Sequence, residues 1–174
     1  MTRRGLNLIA DEERRALIWE ALRLLLQEFG GNLIGVAVFG SVARGRETAE
    51  SDTDLLVVSG SFSESLSGRM DRLVKVLTRL ENTAQHEKMR GKGINTWIQF
   101  HPLSPDEARM HRPIYLDIVE DGVIIYDKDS FMETVLTSLK RRLEELGAKR
   151  IFLEDGSWYW DLKPDLRRGE AVEV

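Results

Sequence analysis

Asp52 and Asp54 stand one residue apart at the head of the apolar run Leu55-Leu56-Val57-Val58, and ten residues separate them from Gly40-Ser41, which ends the apolar run Val36-Ala37-Val38-Phe39. Each apolar run reads as a short buried strand, so two strands flank one polar loop. Side chains two apart on a strand share a face, which sets the two carboxylates side by side. Like charges at that spacing repel, and one carboxyl would stay protonated unless a cation intervenes. The chain has no cysteine, and carboxylate oxygens alone suit a hard ion, Mg²⁺ or Mn²⁺, that keeps some waters and completes its shell with substrate phosphates. Gly40 permits positive φ or the close approach of a ligand. Ser41 offers a hydroxyl and, if Val42-Ala43-Arg44 opens a helical turn, free N–H groups for an anion. Metal on one side and phosphate on the other describe a nucleoside triphosphate site. Taken singly, Gly-Ser is a common turn and Asp-x-Asp is more often a solvated strand end; their joint occurrence between two strands is what points to a site.

The surrounding elements are read from periodicity and punctuation. A helix is expected over 11–29, with Glu12 and Glu13 in its first turn, Ile18, Leu22, Leu25 and Phe29 as its stripe and Gly30-Gly31 as its stop. A second follows from residue 66, where Leu66, Met70, Leu73, Val74, Leu77 and Leu80 recur at helical spacing. Residues 82–93 read as a polar loop whose His86, Lys88, Arg90 and Lys92 either grip an acceptor or simply face water. A third strand is expected over 94–101, with Asn95, Trp97, Gln99 and His101 on one face. Ser104-Pro105-Asp106-Glu107 opens a short helix that Arg112-Pro113 breaks. Another helix spans 114–120, and residues 122–126 read as a fourth strand at an edge. Ser130 and Glu133 resemble a capping box for a helix with Met132, Val135, Leu136, Leu139 and Leu143 on one face. Beyond residue 150, Asp155-Gly156 suggests a hairpin, and the aromatics at 158–160 offer a base-stacking platform, a partner surface or packing against their own domain. None of the three histidines has a partner at metal-ligand spacing, so His86, His101 and His111 read as ordinary residues.

Helices interleaved with four strands give an α/β (α+β) fold with a mixed sheet and helices packed mainly on one face. The expected organisation is a nucleotide-handling unit over 1–128, with a C-terminal helix and aromatic tail, 129–174, packed on it. Hydrophobic content of 42%, 31% charged residues and a net charge of −4 give no global attraction to nucleic acid or to an anionic membrane. No apolar run approaches the roughly 20 residues needed to span a bilayer, and the cytoplasm is the expected location.

The fuller pattern, GSVARG followed by SDTDLLV, resembles the signature of the DNA polymerase β-like nucleotidyltransferase superfamily and is similar to its small members, the minimal nucleotidyltransferases. The resemblance implies the nucleotidyltransferase palm, with Asp52 and Asp54 as catalytic ligands of two Mg²⁺ ions. It also implies that Gly40, Ser41, Arg44 and Ser51 contact the nucleotide, with Arg46 as a further positive charge. ATP would donate AMP to a hydroxyl of a protein, RNA or small molecule. Small members are often paired with a HEPN-domain protein, some as an antitoxin that modifies the partner's Tyr, and the tail offers such a partner a surface. Active members usually carry a third carboxylate on a later strand. Here Asn95 or Gln99 stands in its place, and neither serves as an anionic ligand or a general base. Two functions therefore remain open, a transferase and a module that binds nucleotide or partner without turnover.

Overall fold

The computed structural model describes residues 2–62, 65–110 and 113–166. His111 and Arg112, and with them the expected helix break, lie outside the described residues, as does the end of the expected tail. In chain order the elements are β1 (Arg3–Arg4), α1 (Glu12–Phe29), β2 (Leu33–Phe39), α2 (Gly40–Arg44), β3 (Thr53–Ser59), α3 (Leu66–Glu81) and α4 (Ala84–Gly91). They continue with β4 (Ile98–Leu103), α5 (Pro105–Arg109), α6 (Ile114–Asp121), β5 (Val123–Asp127), α7 (Phe131–Leu146) and a hairpin of β6 (Lys149–Phe152) and β7 (Trp158–Asp161). The main sheet has the order β1-β5-β2-β3-β4. It is mixed: β2 runs antiparallel to both β3 and β5, while β3–β4 and β1–β5 are parallel pairs.

Strand alternation sorts the core into two layers. Val36, Val38, Leu55, Val57, Ile98 and Phe100 pack with Leu17, Ile18, Leu73 and Met89 of α1, α3 and α4. Ala37, Phe39, Leu56 and Val58 pack with Tyr115 and Ile118 of α6 and Met132 and Leu136 of α7. The fold class and the mixed character of the sheet are as expected, but the sheet has five strands rather than four and helices cover both faces rather than mainly one. The reason is visible in β2 and β3, whose continuous apolar runs must be buried from two sides.

Most boundaries follow from local chemistry. The Asp11 side chain accepts from the Arg14 N–H at the start of α1, and Ser104 with Glu107 forms the expected capping box. Three readings are corrected. The segment 82–93 contains the helix α4, because the Thr83 hydroxyl caps it by accepting from the His86 N–H and because His86 and Met89, one turn apart, are buried. Two inward side chains among many charges give too short a stripe to read. The helix α7 is not capped by Ser130, which sits at φ 56 with no side-chain cap; instead the Asp127 carboxylate accepts from the N–H groups of Met132 and Glu133. Finally, β5 is not the edge, since β1 pairs beyond it, and two residues are too few to show alternation.

Candidate active site

The bend between β2 and α2 begins at Gly40, whose φ is 75°, a region that costs any residue with a Cβ. No side chain caps the first turn of α2, which leaves its leading N–H groups to water or a ligand. Gly45, in the left-handed conformation, closes the helix. Across the sheet Phe39 pairs with Asp54, and the Asp54 carboxylate lies over Gly40 so closely that a Cβ built there would collide with Oδ2. Glycine is therefore required twice, for its backbone and for the space that the carboxylate occupies.

The two acids are not equivalent. Asp54 is inside β3, on the α6–α7 face with Leu56, and its side chain keeps 23% of its exposure. Asp52 precedes the strand and is exposed, so alternation alone does not aim it. Ser41 is half-buried in the bend. Ser51 uses its hydroxyl within the loop, accepting from the Thr48 N–H at 3.0 Å. The Thr48 hydroxyl in turn helps to hold the neighbouring Glu50 carboxyl below its usual range, together with the Glu50 backbone. Arg46 is exposed. The guanidinium of Arg44 instead stacks on the ring of Trp158, 4.7 Å from its centroid.

On the next strand, Gln99 pairs with Asp54 and His101 with Leu56, so Gln99 rather than Asn95 stands beside Asp54, where the resemblance implies a third acid. Asn95 braces the loop, donating from its N–H to Ala49 O at 2.7 Å and from Nδ2 to Glu50 O at 2.9 Å. His101 is not an ordinary surface residue. Its Nε2 is buried without a hydrogen-bond partner and lies 3.6 Å from Asp54 Oδ1. A cavity of about 440 Å³ opens beside Gln99 and His101, lined also by Leu56, Leu66, Met70 and Ile114.

Residues the sequence did not single out hold this loop in place. Arg14, 1% exposed, donates to Thr48 O at 2.6 Å and over longer reaches, 3.5 Å each, to Thr53 Oγ1 and Asn95 O. Its signal was present: it sits four residues before Ile18, on the buried stripe of α1. Arg3 donates to Ala43 O and Asp121 O, tying α2 to the end of α6. Trp158 lies between Arg44 and Arg150 and donates from Nε1 to Asp117, while Arg150 pairs with Asp121 at 2.7 Å. The hairpin thus leans on the element that carries the Gly-Ser bend. Among the described residues no group of three His, Asp or Glu side chains is close enough to hold a metal by itself. The carboxylate cradled by Gly40 and the unpartnered His101 nitrogen still fit a divalent ion that draws its remaining ligands from phosphate and water.

The chain is similar to known proteins over most of its length. The model of the nucleotidyltransferase domain matches residues 19–159. The chain is 32% identical over 138 residues to the Methanocaldococcus jannaschii protein named "Putative protein adenylyltransferase MJ1305", covering 78% of this chain and 86% of that one. A chain from the crystal structure of a toxin–antitoxin with AMP-PNP superposes with a TM-score of 0.46 at 14% identity, covering 79% of this chain and 94% of that chain. Another, from a tri-AMPylated Shewanella oneidensis HEPN toxin in complex with MNT antitoxin, gives 0.42 at 13% identity, covering 75% and 92%. Likenesses that loose transfer no residue roles. The domain match spans most of the sequence and contains the Gly-Ser bend, both acids and the strand that bears His101, and so this chain belongs to the nucleotidyltransferase domain family.

Proposed function

We propose that the protein transfers AMP from ATP to a hydroxyl on a protein acceptor, in a reaction that depends on Mg²⁺ or Mn²⁺. The observation that carries this reading is the Asp54 carboxylate lying against Gly40, which joins the anionic and phosphate-binding halves of the site. Similarity to a protein named for adenylyl transfer to proteins supports the donor and the acceptor class. The small-member resemblance adds a HEPN-domain protein as the candidate acceptor.

Asp52 and Asp54 would hold the divalent ions, and Ser41 with the leading amides of α2 would receive phosphate oxygens. Ser51 takes part by shaping the loop before Asp52. Arg44, held by Trp158, and exposed Arg46 supply positive charge toward the triphosphate. The metal, when bound, supplies charge stabilisation at the α-phosphate and the leaving pyrophosphate. The acceptor oxygen bonds to the α-phosphorus, the bond to the bridging oxygen of the β-phosphate breaks, pyrophosphate leaves and the hydroxyl proton is lost to water. The cavity beside Gln99 and His101 gives the acceptor side chain an approach.

Incubating the protein with labelled ATP, Mg²⁺ and a HEPN-domain acceptor should give label on the acceptor, reduced at least ~100-fold by Asp54→Asn, on the scale of losing a principal electrostatic group. Equal labelling by the parent and the variant would overturn the assignment. The pairing of Gln99 with Asp54 favours a second reading, a nucleotide- and partner-binding module without turnover. That reading requires Mg²⁺-dependent ATP binding with no pyrophosphate released.

A further inference from the structure

We infer that His101 is a metal ligand, which supplies through Nε2 the position that Gln99 leaves without an acid and gives the site a mixed oxygen and nitrogen character that favours Mn²⁺ over Mg²⁺. The inference rests on the metal-dependent reading above and extends it.

The separation of Nε2 from Asp54 Oδ1, 3.6 Å, is too long for a hydrogen bond, which for these atoms falls at about 2.7–3.2 Å. Two ligands bound to one ion at about 2.0–2.2 Å, subtending roughly 90–115°, lie about 3.0–3.6 Å apart. The pair therefore has the spacing of neighbouring ligands, or of a charged pair without a hydrogen bond, rather than of donor and acceptor. Nε2 is buried and has no hydrogen-bond partner, a state that costs about 1–3 kcal/mol unless something occupies it. The ring is held, since Phe39 packs edge-on against it with centroids 5.0 Å apart. Phe39 also pairs with Asp54 across the sheet through its backbone, so one residue adjoins both groups, by its ring and by its strand register. Parallel pairing of β3 with β4 puts His101 and Asp54 on the same face. An imidazole nitrogen beside a carboxylate is softer than two carboxylates, and later first-row ions gain over Mg²⁺ at such a site. Asp54 and His101 give this ion two protein ligands and leave exposed Asp52 to the second ion; since no three His, Asp or Glu side chains among the described residues are close enough to hold a metal by themselves, the shell must be completed by triphosphate oxygens and water. Tight metal binding should accordingly require triphosphate.

The test uses the whole protein with Mn²⁺ and inorganic tripolyphosphate, which contains no nitrogen, read by pulsed electron paramagnetic resonance. The parent should show coupling of bound Mn²⁺ to an imidazole nitrogen. His101→Gln should lose that coupling and bind Mn²⁺ about tenfold or more weakly, with Mg²⁺ binding little changed. His101→Asp should lose the coupling and shift preference toward Mg²⁺. Bound Mn²⁺ that depends on Asp54 but shows no nitrogen coupling in the parent, or a coupling that survives His101→Gln, overturns the inference alone. Failure of the parent to bind Mn²⁺ with tripolyphosphate overturns the metal-dependent reading as well. Should His101→Gln not fold, the parent spectrum decides.

Discussion

Arg14 and His101 lie on opposite sides of the same two strands and make an instructive pair. Each is a polar side chain brought against the β3 end of the candidate site. Arg14, on the α1 side, is almost wholly buried, yet it finds the Thr48 carbonyl and longer-range acceptors at Thr53 and Asn95. His101, on the α6–α7 side, keeps 29% side-chain exposure, yet its buried Nε2 has no hydrogen bond. Satisfaction, not burial, separates them. A polar group that the fold uses as scaffold is saturated by backbone acceptors, because an unmade bond in the interior costs more than a made one contributes. A group left unsaturated beside a carboxylate stands ready for something from outside. The two faces thus divide the work: one fixes the loop before Asp52, the other leaves open the ligands that loop serves.

The sharpest way to break this contrast is to remove both side chains in turn. Arg14→Met should cost about 3 kcal/mol in urea unfolding, because it strips donors from Thr48 O and Asn95 O in a buried setting. His101→Leu should cost under ~1 kcal/mol, since Nε2 gives up no hydrogen bond. Equal losses would erase the distinction. Gly40→Ala sharpens the same point from the backbone side. A left-handed φ costs about 1–2 kcal/mol for a residue with a Cβ, and the Cβ would displace the Asp54 carboxylate. Nucleotide binding, followed by calorimetry, should fall about tenfold while the fold persists.

Trp158→Ala should have a smaller effect, about 1 kcal/mol for the loss of two cation–π contacts at a partly exposed site. Limited proteolysis between β6 and β7 should accelerate, and the KM for ATP should rise a few-fold as Arg44 loses its support. An unchanged cleavage rate would show that the hairpin is held by Trp160 and its neighbours alone. The smallest effect is expected at Glu13. Lys92, Gln85 and Lys88 hold its carboxyl down from the ordinary 4.5 to about 2. A carboxyl depressed on folding adds stability above its unfolded pKa and loses it as pH falls. The stability gap between parent and Glu13→Gln should therefore be constant above about pH 4.5 and shrink toward pH 2. A gap that widens on acidification would contradict the pairing.

What the sequence determined by itself was local. Helix α1, the capping box of α5, the turn at Gly156 and the two strands around the Gly-Ser bend were all legible, because each depends on side chains within a few residues of one another. The nucleotidyltransferase pattern was legible for the same reason, since both its halves lie within a single strand–loop–strand unit. The short helix α4 and the strand β1 were missed because they present too few inward residues to show a period. The Asp127 cap of α7 was missed because a plausible Ser130 stood nearer the helix start. The anchoring of the loop by Arg14, the seating of Trp158 on Arg44 and the meeting of His101 with Asp54 were decided only by the tertiary structure. These contacts join residues 34 to 114 positions apart, and no periodicity records which side chains a sheet's strand order will bring face to face. Strand order is set by which apolar faces bury most surface together, a property of the assembled layers rather than of any one segment.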